Sequence, residues 1–327
     1  MTGGEATAYL APQGFERELA HELGDNGEIF GRLFLVQGPP KPAAWVANVW
    51  HEPRRLAIVS IADGAKQLRA IQRNWALYSS RLHRRAELIQ ARLPHVSAKP
   101  IRFPSPAPAA PLGSWTLLGP GEILAAPRCA SSFPNGEVHF VEDKQGPPNR
   151  AYLKLWEALT LLGRHPGPGD GCLDLGASPG GWTWALAELG ARVVAVDKAP
   201  LAPRVAKFPN VEIRRESAFA LRPAQVGPVE WLFSDVACYP DRLYRLVTGW
   251  IDSGLARNMV CTLKFQGETD FAAQERFAAL PGGRLTHLHH NKHELTWMWP
   301  AFAKPAEPVL GPASGRSRGA GEAKPKG

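Results

Sequence analysis

The sequence predicts an α/β fold, in which a doubly wound, Rossmann-like domain follows a smaller α+β region of ferredoxin-like order. Two observations support this prediction. From Ala151 onward, helical patterns alternate with short buried strands, which is typical of a parallel sheet covered by helices on both faces. Before residue 93 the order of elements is strand, helix, strand, strand, helix, which suits a small ferredoxin-like unit.

Length and composition permit two folded domains. Single cores usually stop growing near about 250–300 residues, and this chain has 327 residues, of which 44% are hydrophobic. The formal net charge of +8 favours a polyanionic partner. The four cysteines form no C-x-x-C pair, so we expect no metal site or disulfide framework and a reducing, cytoplasmic location. We expect neither a membrane span nor a secretory signal, because long apolar runs are absent.

Four segments differ in composition. Residues 1–92 form a basic N-terminal domain, residues 93–147 a Pro-rich linker with a few extended pieces, and residues 148–303 the α/β domain. Residues 304–327 form a basic tail that we expect to be disordered. The elements predicted in the first segment are strands at Ala8–Leu10, Ile29–Val36, Trp45–Val49 and Arg55–Ile61, a helix at Phe15–Leu23 closed by Gly24, and a basic helix beginning near Ala65.

The strongest site pattern is a strand, a turn of small residues, a helix and a second strand. The strand Cys172–Leu175 contains Asp174 and leads into the turn Gly176–Trp182, and Asp197 stands at the end of the strand Arg192–Val196. Small residues let a ligand approach the backbone closely, and an acid after the second strand can accept hydrogen bonds from two ribose hydroxyls. A turn whose glycines only permit tight packing is the alternative.

A dinucleotide is the main competitor for this turn. The glycines do not fit G-x-G-x-x-G, because Ala177-Ser178 replaces the central step. Pro179 also removes a backbone N–H that could hold a pyrophosphate. S-adenosylmethionine has no phosphates and needs one acid near its amino-acid end, for which Asp174 is placed, and one at its ribose, for which Asp197 is placed. The turn therefore favours S-adenosylmethionine.

Several segments resemble one enzyme family. Asp174–Trp182, read as D-L-G-A-S-P-G-G-W, resembles the cofactor turn of the FtsJ-type RNA 2′-O-ribose methyltransferases, and Leu263–Glu268 resembles a later motif of that family. Tyr152–Leu155, Arg215–Phe219 and the start at Ala8–Leu19 are most similar to its RlmM branch, the bacterial enzymes that methylate ribose in large-subunit (23S) ribosomal RNA. The resemblance is good over residues 148–300. In that branch a THUMP RNA-binding domain precedes the catalytic domain. Residues 80–150 here are shortened, so residues 93–147 are expected to be either the Pro-rich linker or a reduced THUMP-like region.

The resemblance implies a reaction, a methyl donor and a set of cofactor contacts. The implied reaction is 2′-O-methylation of RNA with S-adenosyl-L-methionine as the donor. Separately, we expect a monomer without a metal site. The implied cofactor-binding residues are Asp174, Gly176, Ser178, Pro179, Gly180, Gly181, Trp182, Asp197, Ser217 and Asp235. The family commonly has an acid where this chain has Ser217, so we expect backbone groups or the serine hydroxyl to recognise adenine.

The family also carries a Lys-Asp-Lys-Glu tetrad, and each member has a candidate here. Lys154 lies on the predicted helix before the cofactor strand, whereas Asp235, Lys264 and Glu294 lie at the ends of later strands, which converge in a doubly wound sheet. The resemblance implies that Lys264 is the base, that Lys154 and Glu294 orient it and the hydroxyl, and that Asp235 steadies the lysine. A lysine acts as a base only if its pKa falls below the usual value of about 10.4. Burial and a second lysine both lower it.

A stripe of basic residues suggests how RNA is bound. One acid, Glu87, accompanies eight basic residues: Lys66, Arg69, Arg73, Arg81, Arg84, Arg85, Arg92 and Lys99. Apolar residues recur at helical spacing from Leu68 to Leu82, which predicts one helix with arginines facing outward, able to neutralise phosphates. For the basic stripe, a solvated helix face is the alternative.

For the function of the chain, two alternatives stay open: an RNA-binding pseudoenzyme and a methyltransferase with a non-RNA substrate.

Overall fold

Three sheets organise the chain in the computed structural model, which describes residues 6–24 and 27–300. The predicted disordered tail, residues 304–327, lies outside the described residues. The elements of the N-terminal part are β1 (Ala6–Leu10), α1 (Glu16–Leu23), β2 (Glu28–Phe30), β3 (Leu33–Gln37), β4 (Asn48–His51), β5 (Arg54–Ala57), α2 (Ile61–Ile71), β6 (Trp75–Leu77), α3 (His83–Gln90), β7 (Gly113–Gly119), β8 (Glu122–Ala126) and β9 (Arg128–Cys129).

The first sheet has five antiparallel strands in the order β2-β3-β1-β4-β9. Helix α1 ends at Gly24 as predicted, since its φ of 76° is a left-handed conformation that glycine adopts easily. The single strand predicted over Ile29–Val36 is wrong, because the chain turns at Gly31 (φ 63°) and folds back as the hairpin β2–β3. The strand predicted at Arg55–Ile61 ends at Ala57, because the Ser60 hydroxyl caps the start of α2.

The second sheet joins residues that the sequence assigns to different segments. Its order is β5-β8-β7-β6, and β7 and β8 both come from residues 93–147. The interpretation of that stretch as a linker is therefore wrong over its strands, and a boundary at residue 92 divides a sheet. Helices α2 and α3 pack on this sheet around Leu68, Trp75 and Trp115, whereas α1 packs on the first sheet. The predicted ferredoxin-like unit is thus divided between two sheets.

The continuous basic helix predicted from Ala65 is also wrong. Helix α2 ends at Ile71, and Trp75 lies in β6, which pairs in parallel with β7. Burial of Trp75 between the sheet and the helices outweighs the helical pattern of the sequence. Leu82 has a φ of 51° and is 40% exposed, so it does not face the core. Of the eight basic residues, seven are exposed and Arg85 is half-buried.

The third sheet forms the C-terminal domain and has seven strands in the order β12-β11-β10-β13-β14-β16-β15. Its elements are α4 (Tyr152–Leu162), β10 (Gly171–Leu175), α5 (Gly181–Glu188), β11 (Arg192–Val196), α6 (Pro203–Ala206), β12 (Val211–Arg214), α7 (Pro223–Val226), β13 (Val229–Ser234), α8 (Pro240–Ser253), β14 (Ala256–Lys264), α9 (Phe271–Ala278), β15 (Arg284–Thr286) and β16 (Glu294–Trp299). Two hydrophobic cores lie on its opposite faces. The doubly wound fold that the sequence predicts is confirmed.

Strand direction determines which residues meet at one edge of this sheet. Strands β10 to β14 run parallel, whereas β16 runs antiparallel to both of its neighbours. The first residue of β16, Glu294, therefore pairs with Lys264, the last residue of β14. The carboxyl ends of the parallel strands and the start of β16 consequently lie at the same edge.

A buried carboxylate ties helix α4 to the loop before β16. Glu157 is 2% exposed, and its Oε1 and Oε2 accept the backbone N–H groups of His289 at 2.7 Å and His290 at 3.0 Å. Burial raises the pKa of Glu157 to about 8, although the two hydrogen bonds act to lower it. Glu157 thus joins the helix that carries Lys154 to the loop that leads into Glu294.

This raised pKa gives the unfolding free energy a pH dependence. The folded chain keeps a proton on Glu157 between pH 4.5 and about 8, where the unfolded chain has lost it. Stability contributed by this group therefore falls as the pH rises through that window, by at most about 1.4 kcal/mol per pH unit. We expect Glu157→Gln to flatten the profile of unfolding free energy measured by denaturant titration, and the exposed control Glu87→Gln to leave it unchanged. Identical slopes in all three proteins would contradict the assignment.

Candidate active site

Four charged side chains from four elements meet at the carboxyl edge of the seven-stranded sheet. Asp235, which follows β13, lies at their centre. The Lys154 Nζ lies 2.8 Å and 2.9 Å from the Asp235 Oδ1 and Oδ2, and 3.0 Å from the Glu294 Oε1. The Lys264 Nζ lies 3.0 Å from the Asp235 Oδ1 and donates to its backbone carbonyl oxygen at 2.6 Å. The structure therefore brings together all four residues that the sequence singles out as a tetrad.

The two lysines differ in how their hydrogen bonds are used. Three carboxylate oxygens of Asp235 and Glu294 surround the Lys154 Nζ, so all three N–H bonds of a Lys154 ammonium group have an acceptor. Burial alone would lower the pKa of Lys154, but Asp235 and Glu294 outweigh it and raise that pKa above its ordinary value. Lys264 has two acceptors, and its side chain is 25% exposed against 10% for Lys154. A neutral Lys264 amine can donate both N–H bonds to Asp235 and still present its lone pair to a substrate.

Asp174 has a carboxylate oxygen that no protein group satisfies. Its Oδ2 accepts the Thr183 hydroxyl at 2.6 Å, whereas its buried Oδ1 has no hydrogen-bond partner. Burial raises the pKa of Asp174 to about 7, and the charges of Asp235 and Asp197 act in the same direction. An unpaired buried acceptor is costly, and a donor group on a bound ligand would satisfy it.

The glycines of the turn are required by the protein's own packing. Gly176 has a φ of 80°, and a Cβ there would lie 2.7 Å from the Cα of Val236, in the loop that carries Asp235. A Cβ at Gly181 would lie 2.2 Å from the side-chain oxygen of Asn149, just before α4. The tight-packing interpretation therefore holds for these two positions, and it has a consequence for the site. The turn is packed against two of the segments that supply the tetrad, those that carry Asp235 and Lys154.

Trp182, which is predicted to bind the cofactor, also holds the turn against the start of α4. Its ring is 3% exposed and its Nε1 donates to the carbonyl oxygen of Ala151 at 2.8 Å. That contact fixes the start of α5 to the start of α4. It leaves Trp182 with a structural role that the motif alone does not indicate.

Asp197 organises the turn from the neighbouring strand end. Its Oδ2 accepts the backbone N–H of Ser178 at 3.0 Å, and its Oδ1 accepts that of Ala199 at 2.9 Å. Each oxygen retains a lone pair for a further donor. The Ser178 hydroxyl donates to the carbonyl oxygen of Pro200 at 2.9 Å, which holds Pro179 and its neighbours against the segment after β11.

The predicted adenine contact lies after the adjacent strand β12. The Ser217 Oγ accepts the backbone N–H of Phe219 at 3.4 Å, so its hydroxyl hydrogen stays available as a donor. The Arg242 guanidinium lies 3.9 Å from the centre of the Phe219 ring, which fixes that side chain between β12 and α8. Ser217 therefore lies beyond the end of β12, two strands away from β10 in the sheet, with one unused hydrogen-bond donor.

Two features of the site were missed from the sequence. Glu157 was not singled out, although it and Lys154 are the charged residues of an otherwise apolar helix, and that pattern marks buried, paired charges. The contact between Trp45 and the C-terminal domain has no local signal, because its partners lie more than 200 residues away.

Over residues 6–24 and 27–300, no cluster of three or more His, Cys, Asp or Glu side chains is arranged to hold a metal ion. In the same ranges no helix is long and apolar enough to cross a membrane.

Comparison with known proteins finds similarity in the C-terminal domain. Residues 147–249 match the family model of the FtsJ-like methyltransferases. The ribosomal RNA large subunit methyltransferase M of Halorhodospira halophila is 40% identical over 157 residues, which is 46% of each chain. The enzyme of the same name from Aromatoleum aromaticum is 39% identical over 164 residues, covering 45% of this chain and 44% of that relative. The chain thus spans about half the length of the curated relatives it matches.

Solved structures show more distant similarity. The fibrillarin pre-rRNA processing protein of Methanococcus jannaschii has a TM-score of 0.35 and 18% identity, covering 56% of this chain and 80% of that one. The family match rests instead on the sequence of residues 147–249, which contains the cofactor turn, Lys154 and Asp235. Residues 147–249 of this chain are therefore similar to the FtsJ-like methyltransferases.

Proposed function

We propose that this chain transfers a methyl group from S-adenosyl-L-methionine to a ribose 2′-hydroxyl of RNA, and that its substrate is large-subunit (23S) ribosomal RNA. The observation that carries the proposal is the cluster of Lys154, Asp235, Lys264 and Glu294 beside the cofactor turn. The similarity to the large-subunit ribosomal RNA methyltransferases supports the choice of RNA. Four free cysteines fit the reducing cytoplasm in which we place the reaction.

The residues around the turn suit S-adenosylmethionine. The unpaired Oδ1 of Asp174 is a candidate acceptor for the amino group, and the free lone pairs of Asp197 are candidates for the two ribose hydroxyls. Ser217 supplies a donor for the adenine. When bound, the cofactor supplies a methyl group already activated by its positive sulfur. What this chain must supply is the position of the hydroxyl and the removal of its proton.

Lys264 is the residue that we assign to proton removal. Its lone pair can face the substrate while Asp235 holds both of its N–H bonds, and it is the most exposed member of the tetrad. Lys154 stays charged, because two carboxylates surround it and raise its pKa. We assign Lys154 and Glu294 to orienting the hydroxyl and the base. Asp235 holds both lysines in place.

The N-terminal part offers a surface for the RNA backbone. Seven exposed basic residues lie between residues 66 and 99. They are not equivalent, because the Arg81 side chain donates to the carbonyl oxygen of Leu118 and lies over the Phe30 ring. The exposed Lys66, Arg73 and Arg84 are therefore better candidates for phosphate contacts.

The assignment of the base can be tested with three variants that separate the chemical step from cofactor binding. We expect Lys264→Ala to slow single-turnover methyl transfer by about 10²–10⁴-fold, the usual contribution of a positioned base, with unchanged cofactor affinity in calorimetry. Lys264→Arg should not restore the rate, since a guanidinium does not lose its proton near neutral pH. Asp197→Ala should instead weaken cofactor binding, by the about 1.5–3 kcal/mol of a charge-assisted hydrogen bond.

Near wild-type rates in Lys264→Ala would remove Lys264 from the role of base. A wild-type protein that binds the cofactor but methylates no RNA would favour the pseudoenzyme. Methylation of a protein or small molecule in preference to RNA would favour the non-RNA methyltransferase.

The RNA-binding surface can be tested through the salt dependence of affinity. Changing Lys66, Arg73 and Arg84 together to Gln should weaken RNA binding and reduce the slope of log affinity against log salt, by about 0.7–0.9 for each phosphate that is no longer neutralised. A matched control changes Lys207, Arg245 and Arg257 to Gln, three exposed basic residues outside the 66–99 stripe. If both variants have the wild-type slope, the stripe is a solvated surface and does not bind RNA.

A further inference from the structure

The residues directly beyond the Lys264–Glu294 pair extend the contact between their strands. The backbone N–H of Phe265 donates to the carbonyl oxygen of His293 at 3.4 Å, and the two rings lie 5.4 Å apart. Each is the immediate chain neighbour of a tetrad member. A displacement of Phe265 or His293 must therefore move Lys264 or Glu294.

Two aromatic side chains of the N-terminal part enclose these residues. The Trp45 ring lies 5.9 Å from the ring of Phe265 and 5.9 Å from that of His293. The Phe15 ring stacks on Trp45 at 4.8 Å and on His293 at 5.8 Å. Trp45 has no exposed surface, and it belongs to a hydrophobic core that also contains Leu263. The first sheet and the catalytic domain are thus packed as one unit at this point.

A buried polar network fixes Trp45. The carboxylate of Glu22, on α1, accepts the backbone N–H groups of Ala44 at 2.8 Å and Trp45 at 2.9 Å. The Trp45 Nε1 donates to the Gln274 Oε1 at 2.7 Å, and the Gln274 Nε2 donates to Glu22 at 2.6 Å. Because α1 belongs to the first sheet and Gln274 to α9, this network joins the two domains. A fully satisfied buried network of this kind rigidifies its surroundings.

A second contact, a hydrogen bond, restrains His293. The Thr269 hydroxyl lies 2.7 Å from the His293 Nε2 and donates to the Glu18 carboxylate at 3.2 Å. Glu18 is also on α1. Both contacts to His293 therefore depend on the same N-terminal helix.

We propose that Trp45 is a positioning residue for the methyl transfer, which acts through Phe265 and His293 to hold Lys264 against Glu294. This inference rests on the proposed function and deepens it. It assigns the N-terminal part a role in the chemical step that is separate from RNA binding. A misplacement of about 1 Å in a catalytic geometry can cost about 10²-fold in rate, so an anchor at this place is effective without touching the substrate.

The chain offers a matched control for Trp45. Trp115 is also fully buried, and its Nε1 also donates to a glutamine amide oxygen, that of Gln90 at 2.8 Å. It lies in the second sheet, within a core that contains no residue of the catalytic domain. Trp45→Phe and Trp115→Phe therefore remove the same chemical group from two equally buried places.

We expect Trp45→Phe to lower the single-turnover rate at saturating RNA by about 10-fold to 10²-fold, with unchanged cofactor affinity and unchanged KM for RNA. Trp115→Phe should lower stability comparably and leave the rate at the wild-type value. A second readout does not need activity: the rate at which an acylating reagent labels the Lys264 amine should change in Trp45→Phe and stay constant in Trp115→Phe. If Trp45→Phe does not fold, Thr269→Val, which removes the second contact to His293, should show the same pattern.

The outcomes separate this inference from the proposed function. Unchanged rate and unchanged Lys264 labelling in Trp45→Phe would overturn the positioning role and leave the methyltransferase assignment standing. Equal rate losses in both tryptophan variants would also overturn it, because they would indicate a general loss of stability. If the wild type methylates no RNA but Lys264 labelling still changes only in Trp45→Phe, the positioning role stands and the proposed substrate is wrong.

Discussion

The carboxylate of Asp235 holds two lysine side chains at the end of a buried strand, and the surrounding architecture keeps these charges together. Removing one member of a buried charge cluster leaves another unpaired, at a cost of about 3–5 kcal/mol. Here the charged Lys154 is shared between Asp235 and Glu294, and Lys264 also contacts Asp235. The reversed direction of β16 is essential to this arrangement, because a parallel strand would place Glu294 at the opposite edge of the sheet.

The same cluster distinguishes two lysines that the sequence presents as similar. Lys154 is buried, has three acceptors and a raised pKa, so it provides a fixed positive charge. Lys264 is more exposed and has two acceptors on one residue, which leaves one position on its amine for a substrate. The number of hydrogen-bond acceptors thus supports the division of roles between a base and an orienting charge.

The parts of the structure that could be predicted from the sequence depend on local patterns. The buried strands that lead to Asp174, Asp235 and Lys264 alternate with helices along the chain. This order predicts a doubly wound sheet, in which the carboxyl ends of the strands converge at one edge. The second sheet could not be found in this way, because β6 pairs with β7 across a Pro-rich stretch that contains no pattern of its own. The roles of Glu157 and Trp45 also depend on contacts with residues more than 100 positions away. For Glu157 and Trp45, composition and spacing do not indicate which distant residue forms the hydrogen bond.

The activity that we propose for the cluster around Asp235 is methylation of a ribose in large-subunit ribosomal RNA. Its most direct test is to map 2′-O-methylated nucleotides in ribosomal RNA from cells that contain this protein and from cells that lack it. We expect one ribose mark in the large-subunit RNA to disappear with the protein and no base methylation to change. An identical set of ribose marks in both kinds of cell, or the loss of a base methyl group instead, would contradict it.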